Sequence, residues 1–513
     1  MNVGHAVARQ ALQRPEAIAF FGEGQEISYK ELDDRTNRLA HVLTESFGVR
    51  RGDRVVLYVP NGLVVLEVLV ACAKVGAVYV GLNFRLDRRE LGQVLENAQP
   101  VLMIGCNAFE ELLIAVCAER SIAYLGSDDD GPEGHEARCA SASAAPHQDR
   151  FTVSSVDNAC IVYSSGTTGV PKGILFTHDA VLQHATITAL EYEIDEDSRY
   201  LVQLPHNSSV NITLVPCLLR GAAIGMEDSR GFDPRRLAER VQQDSVTHTF
   251  LVPTMLYRLL EKVEDDSQLD SLVVLGYGSS SIPIDRVRQL VERFGPKLIQ
   301  LYGMAEIASV GTLLRREDHA RAVAGEAELF ASAGRASMGV VVRVVDPVTG
   351  EDVAVGERGE VIFGGSHVMS CYYRDEQRTE ESLVDGWMHS GDVGRFDERG
   401  YLYVIDRIKD LVIRGGYNIA PKEVEEVIFN HPAVLEVAVV GLPDQEWGES
   451  LCAAVVARDG VSVDAEELER WCRAQGLASI KIPSRFEVYP ELPKNLVGKF
   501  DKKAIISMVG GAT

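Results

Sequence analysis

The sequence predicts an α/β fold in at least two domains, on three observations. The chain has 513 residues, several times the length of a typical domain. From residue 54 to about 301, short β-rich runs alternate with helix-like runs, the pattern of parallel sheets covered by helices on both faces. From 334 the texture changes to short strands with polar turns, and past Arg407 a compact α/β run follows, long enough for a small second domain.

Taken in order, residues 28–47 put Leu32, Leu39, Val42 and Leu43 on one helical face, with Ser28 as the cap. Residues 54–60 read as strand, 62–76 as buried helix, AVYVGL as strand, RRELGQVLENAQ as helix and PVLMIG as strand. Residues 126–149, rich in Gly, Ala, Ser and acid, read as a mobile surface connection. Alternation resumes at Cys160. The last hundred residues offer a helix at 421–430, strands at 434–440 and 451–457, and a helix at 464–474. No internal repeat is present.

Charge and composition exclude several roles. A formal net charge of −24 sets up a field that repels phosphate, which argues against nucleic acid and anionic membranes as partners. Any phosphate ligand must be held by local cations and backbone N–H groups. The first residues lack a signal peptide's apolar region. The most apolar stretch, Val55 to Phe84, is interrupted by Pro60, Asn61, Glu67 and Lys74, so no membrane span is expected. Nine cysteines without CxxC spacing fit buried, reduced thiols and a cytoplasmic location. There is no HExxH.

The strongest local chemistry lies at Ser164, Ser165, Gly166, Thr167, Thr168 and Gly169, followed by Lys172 and Gly173. Glycines let the backbone approach an anion, hydroxyls and N–H groups supply neutral donors, and Lys172 adds a charge. A plain turn has the same composition. It is not a Walker A loop, because the lysine follows Pro171 and Gly173 stands where Ser or Thr should be.

Six further segments follow in order: Gly278-Ser279-Ser280, Tyr302-Gly303-Met304-Ala305-Glu306, the run from Trp387 to Gly391-Asp392, Asp406 to Asp410, Gly415-Gly416 through Pro421, and Pro493 to Gly498-Lys499. Together with the loop they resemble the adenylate-forming superfamily of acyl-CoA synthetases, luciferases and peptide-synthetase adenylation domains. The resemblance implies a large N-terminal nucleotide- and acyl-binding domain (1–405) with a small β-barrel-like subdomain. A small mobile α+β lid (406–513) would be hinged near Lys409.

The implied reaction has two steps. A carboxylic acid attacks the α-phosphorus of ATP, with Mg²⁺, to give an acyl-adenylate and pyrophosphate. Coenzyme A then displaces AMP to leave a thioester. By the same resemblance, Gly278, Ser279 and Ser280 line the adenine slot, Tyr302 stacks on the purine, and Gly303, Met304 and Ala305 follow in the nucleotide site. Glu306 holds the metal, Asp392 accepts from the ribose, Arg407 contacts ribose or phosphate, and Lys172 belongs to the phosphate loop. Lys499 bridges carboxylate and α-phosphate during adenylation. Gly415 and Gly416 border the CoA tunnel.

Two positions depart from the family pattern. Ala305 replaces a common Thr whose hydroxyl helps hold the α-phosphate. After Leu204-Pro205, where an aromatic residue and a gating His are common, the register gives Asn207 and Ser208, with His206 displaced by two positions. By the same resemblance the acyl pocket takes His206, Asn207, Ser208, Tyr277 and Ile307; an apolar lining favours a hydrophobic acid, and Asn211, a poor recogniser of an amino group, makes an amino acid the lesser expectation. The departures raise a second reading, an enzyme weak in adenylation that converts a preformed acyl-adenylate. A carrier-protein thiol is the alternative acceptor, and a homodimer is allowed.

Overall fold

A computed structural model describes residues 1–22, 24–129, 131–147, 152–164, 171–209, 213–280, 282–458, 460–494 and 500–510, the side chains of Ser208 and Ser209 excepted. Two large sheets, a curled antiparallel sheet and a small α+β lobe make up the fold. The first sheet has nine strands, from Arg335–Ala336 at one edge to Gln25–Ser28 at the other, and its centre is parallel. The second has seven, running from Cys371–Tyr372 through Lys172–Thr177 and Asn158–Ser164 to the parallel set that ends at Ala123–Gly126. The expected strands and helices between 54 and 105 form as Arg54–Tyr58, Leu63–Val75, Val78–Gly81, Arg88–Ala98 and Leu102–Gly105.

The helix Leu63–Val75 is buried nearly all round, as a helix between two sheets must be. Its two charged residues are satisfied by the helix Tyr29–His41, which starts at a Ser28–Glu31 capping box. The Lys74 ammonium donates to Asp33 Oδ1, Thr36 Oγ1 and Asn37 Oδ1, each at 2.7 Å, and Arg35 pairs with Glu67. An N-terminal helix, Val3–Gln13, was not legible as an element; Asn2 and His5 form its capping box.

Residues 126–149 differ from the expected mobile connection. They contain the helix His135–Ser141, and their described part is strapped to the helix Tyr29–His41. Arg38 donates to Ala142 O at 2.7 Å and Asn37 to Ala144 O at 3.1 Å. Thr44 Oγ1 lies 3.2 Å from His147 Nε2. The donors lie about a hundred residues upstream, where composition within the segment cannot reveal them.

The antiparallel sheet comprises Val341–Val345, Gly359–Gly364, Trp387–Phe396, Leu383–Val384 and Leu402–Arg407. Register shifts at Glu360/Ile362 and Val393/Gly394 bend it. The strand Leu402–Arg407 continues past the expected border at 405 and leads into the turn Ile408–Asp410. The small lobe then packs its own five-stranded sheet against the helices Pro421–Phe429, Ala465–Ala474 and Lys502–Gly510. Among the described residues, no helix is long and apolar enough to cross a membrane.

Candidate active site

Three sheets bring their functional residues to one place. Gly278 and Tyr302 end two neighbouring parallel strands, Val274–Gly278 and Leu298–Tyr302, at the carboxyl edge where open α/β sheets bind ligands. Ser164 ends Asn158–Ser164 and pairs in register with Lys172 of the returning strand, so the two flank the base of the Gly/Ser/Thr loop. The loop residues Ser165, Gly166, Thr167, Thr168 and Gly169, together with Lys499, lie outside the described residues, as does the Ser208 side chain. Asp392 and Arg407 face each other across the antiparallel pair Trp387–Phe396 and Leu402–Arg407.

The carboxylate of Asp392 joins two of these elements. It accepts the Tyr302 hydroxyl at 2.7 Å on one oxygen and Arg407 Nε at 3.0 Å on the other. Burial, reinforced by the Asp392 charge, pushes the Tyr302 phenol well above its usual pKa, so it stays a neutral donor. The Tyr302 ring lies 5.9 Å from Phe363 at a tilt of 46°. The Asp392 backbone is fixed in turn: Ser390 Oγ accepts from Asp392 N at 3.0 Å, and Glu360 accepts from Gly391 N at 3.0 Å and bonds His389 Nδ1 at 2.9 Å. Glu360 escaped the sequence reading because its partners lie some thirty residues away.

Glu306 is buried in a short turn, Ala305–Ile307, directly after Tyr302-Gly303-Met304. Tyr372 donates to its Oε1 at 2.6 Å, and no partner for Oε2 is found among the described residues. Lys172 is half-buried with its Nζ 5.3 Å from the centre of the Tyr372 ring. Burial lowers the Lys172 pKa while the Glu306 charge opposes that shift.

Backbone geometry in these segments is tight. A Cβ on Gly278 would lie 2.4 Å from Leu301 O, and one on Gly303 would lie 2.1 Å from Ser309 O. Both glycines are therefore required by the approach of protein backbone, in addition to whatever a purine would need. Ser279, Ala308 and Ser309 all hold positive φ, a cost that L-residues accept where surrounding structure fixes them.

The acyl-side residues are placed differently from one another. His206 is buried with both ring nitrogens engaged, Nδ1 at 3.1 Å from the Tyr79 hydroxyl and Nε2 at 3.1 Å from Val59 O. Burial lowers its pKa to about 4, so the ring is neutral. Tyr277 turns its hydroxyl to His319 Nε2 at 2.8 Å and Gln300 Oε1 at 3.0 Å, and Ile307 belongs to the main core. The Asn207 carbonyl oxygen is buried and has no hydrogen-bond partner among the described residues. On the small lobe, Lys409 lies exposed in the turn Ile408–Asp410, and Gly415 and Gly416 form an exposed turn.

One other polar cluster stands out among the described residues, Glu67, His135 and Glu136. Arg35 pairs with both of its carboxylates and supplies the charge that a metal would otherwise bring. All nine cysteines are free, and eight are buried.

With the site assembled, comparison with known proteins decides the family. Residues 7–373 match the model of the AMP-binding enzyme family, and residues 423–499 match that of its C-terminal domain. The chain belongs to the AMP-binding enzyme family. It is 36% identical over 505 residues to a feruloyl-CoA synthase from an Amycolatopsis species, covering 98% of each chain. Against an indoleacetate–CoA ligase from Aromatoleum aromaticum it is 32% identical over 520 residues, covering 100% of this chain and 99% of the relative. Its fold matches ATP-bound MatB from Rhodopseudomonas palustris with a TM-score of 0.89, at 28% identity and 99% coverage of both chains. This AMP-binding enzyme is an acid–thiol ligase of the acyl-CoA synthetase type.

Proposed function

We propose that this enzyme activates a hydrophobic carboxylic acid with ATP to an acyl-adenylate, releasing pyrophosphate, and transfers the acyl group to coenzyme A, releasing AMP. The observation that carries the reading is the convergence, from three sheets, of a fixed carboxylate at Asp392 with Glu306 and Lys172, each of which contacts Tyr372. Asp392 keeps lone pairs to accept from ribose hydroxyls while Tyr302 and Arg407 hold its direction. Lys172 meets phosphate charge as a point cation in a partly desolvated setting, where it acts more strongly than in water. The chemistry of Glu306, a buried carboxylate with one oxygen unpartnered among the described residues, fits a hard cation. Bound Mg²⁺ would supply Lewis-acid stabilisation of phosphate charge. In this reading Lys499 reaches the cleft during adenylation, Lys409 is the hinge, and Gly415 and Gly416 border the pantetheine path after rotation of the lobe.

The relatives bearing feruloyl and indoleacetate names support an aryl acid as the first substrate class to examine. The Asn207 carbonyl, buried and unpartnered among the described residues, supports a donor on that acid, such as a phenolic hydroxyl. A panel of aryl and fatty acids, assayed in parallel for pyrophosphate release and CoA consumption, tests the proposal. No CoA consumption with any acid would sink it. Ala305, which offers no hydroxyl beside Glu306, favours a second reading in which adenylation is slow and a preformed adenylate is the better substrate. Acylation from synthetic adenylate at rates far above those from acid and ATP would establish it. Acylation of a phosphopantetheinylated carrier in preference to CoA would identify the alternative thiol.

A further inference from the structure

Tyr372 touches both charged residues on one side of the cleft. Its hydroxyl donates to Glu306 Oε1 at 2.6 Å, and its ring carries Lys172 Nζ at 5.3 Å from the centre. We infer that Tyr372 is a positioning residue that holds the Glu306 carboxylate and the Lys172 ammonium on one frame and keeps them from pairing with each other. The inference rests on the proposed adenylation reading for these two groups.

The backbone around Tyr372 is laced to both. The short strand Cys371–Tyr372 pairs with the strand that begins at Lys172, with Tyr372 opposite Ile174. Ser370 N donates to Leu175 O at 2.8 Å and Tyr373 N to Gly173 O at 2.7 Å. One residue earlier, Met369 N donates to Glu306 O at 2.8 Å. Tyr372 N is held by Thr379 Oγ1 at 3.0 Å, and Arg378 lies 5.8 Å from the same ring. The side chain is only 3% exposed, so it has little freedom to swing away.

The physical need for such a residue follows from the charges. A carboxylate and an ammonium in a partly desolvated cleft attract strongly, and a direct pair would spend both on each other. No ion pair within 4.0 Å joins Lys172 to Glu306 among the described residues. The phenol takes one carboxylate oxygen by a hydrogen bond and offers the ammonium a ring face, a weaker contact that phosphate can outcompete.

The test uses Tyr372→Phe, which keeps the ring and loses the hydroxyl, beside Tyr372→Leu, which loses both. Binding of Mn²⁺ with a non-hydrolysable ATP analogue is followed by electron paramagnetic resonance, and metal-free AMP binding by calorimetry. Loss of a hydrogen bond to a charged group predicts ten- to hundredfold weaker Mn²⁺–nucleotide binding in Tyr372→Phe. AMP affinity should stay at the wild-type value, while the thermal midpoint falls because the buried Glu306 carboxylate loses its donor. Tyr372→Leu should lose more than Tyr372→Phe. Wild-type Mn²⁺–nucleotide affinity in Tyr372→Phe overturns the inference, as does an equal loss of AMP binding, which would mean general damage. Should the leucine variant not fold, the phenylalanine variant decides alone. A wild-type enzyme that binds Mn²⁺–nucleotide but releases no pyrophosphate with any acid overturns the functional reading instead and leaves this comparison legible.

Discussion

Gly303→Ala tests whether the turn that carries Glu306 is as tightly closed as its geometry requires. The added Cβ would lie 2.1 Å from Ser309 O, 2.6 Å from Ser309 C and 3.0 Å from Gly311 N. An ordinary C···O contact is about 3.3 Å, so the carbonyl would have to retreat by roughly 1 Å. It cannot do so freely: Ser309 N donates to Met304 O at 2.9 Å and Gly311 N to Tyr302 O at 3.0 Å. Overpacking typically costs about 1–3 kcal/mol and a lost backbone bond about 1 kcal/mol more, so roughly 2–4 kcal/mol of stability should disappear. Glu306 lies between the two ends of the strained turn, so ATP should also lose its stabilising effect. Thermal unfolding with and without ATP and Mg²⁺ measures both. Gly231→Ala, where nothing comes within 4 Å among the described residues, is the control and should be neutral. An unchanged midpoint in Gly303→Ala, with full stabilisation by ATP, would refute the argument from backbone contact.

Three further outcomes are expected. Asp392→Asn keeps the shape but weakens acceptance from Tyr302 and Arg407, so AMP binding by calorimetry should fall by about tenfold or more, two charge-assisted bonds being involved. Ala305→Thr restores a hydroxyl beside Glu306; pyrophosphate release should rise about tenfold or more, the worth of one bond to a charged group, while acylation from synthetic adenylate stays unchanged. Burial lowers the pKa values of His178, His206, His248, His319 and His367 to about 4. These rings take up protons more readily unfolded than folded between about pH 6.5 and 4. Stability is therefore full above pH 6.5 and falls with pH through that window, by up to about 1.4 kcal/mol per unit for each ring. Urea unfolding at pH 7.5, 6 and 5 should show the decline, and a flat profile would contradict the burial of these rings.

What could be read in the sequence was what is local or periodic. The capping box at Ser28–Glu31, the buried helix Leu63–Val75 and the alternation from 54 to 105 all depend on neighbours within a few residues. The motif segments were legible because each is short and contiguous, and the structure brings Ser164, Lys172, Gly278, Tyr302, Asp392 and Arg407 to adjoining strand ends and turns. What stayed hidden depends on contacts between distant positions. Arg38 reaches Ala142 and pins a segment whose composition reads as loose. Tyr372 sits sixty-six residues from Glu306 and two hundred from Lys172 in a two-residue strand too short to carry any period.

The same distinction explains the uneven placement of the acyl-side residues. The family resemblance assigns Tyr277 to the pocket, yet side chains alternate along a strand. At Gly278 the absent side chain would have met Leu301 O, while Tyr277 turns its hydroxyl to His319 and Gln300 and packs in a buried cluster with Leu275, Leu290 and Leu298. His206 likewise follows Leu204-Pro205 in sequence, but the lack of a side chain at Gly81, where a Cβ would stand 3.0 Å from His206 Nδ1, gives that ring a seat in the core beside Tyr79. Asn207, its neighbour, is the one of these three with a buried polar atom unpartnered among the described residues. A buried amide without a partner costs about 1–3 kcal/mol, and a ligand that supplies the missing donor recovers it. Under the proposed function, Asn207 rather than the displaced histidine would then discriminate among acids. Asn207→Leu should therefore narrow the gap between hydroxylated and unsubstituted aryl acids in kcat/KM, and an unchanged ratio across the panel would remove Asn207 from the pocket.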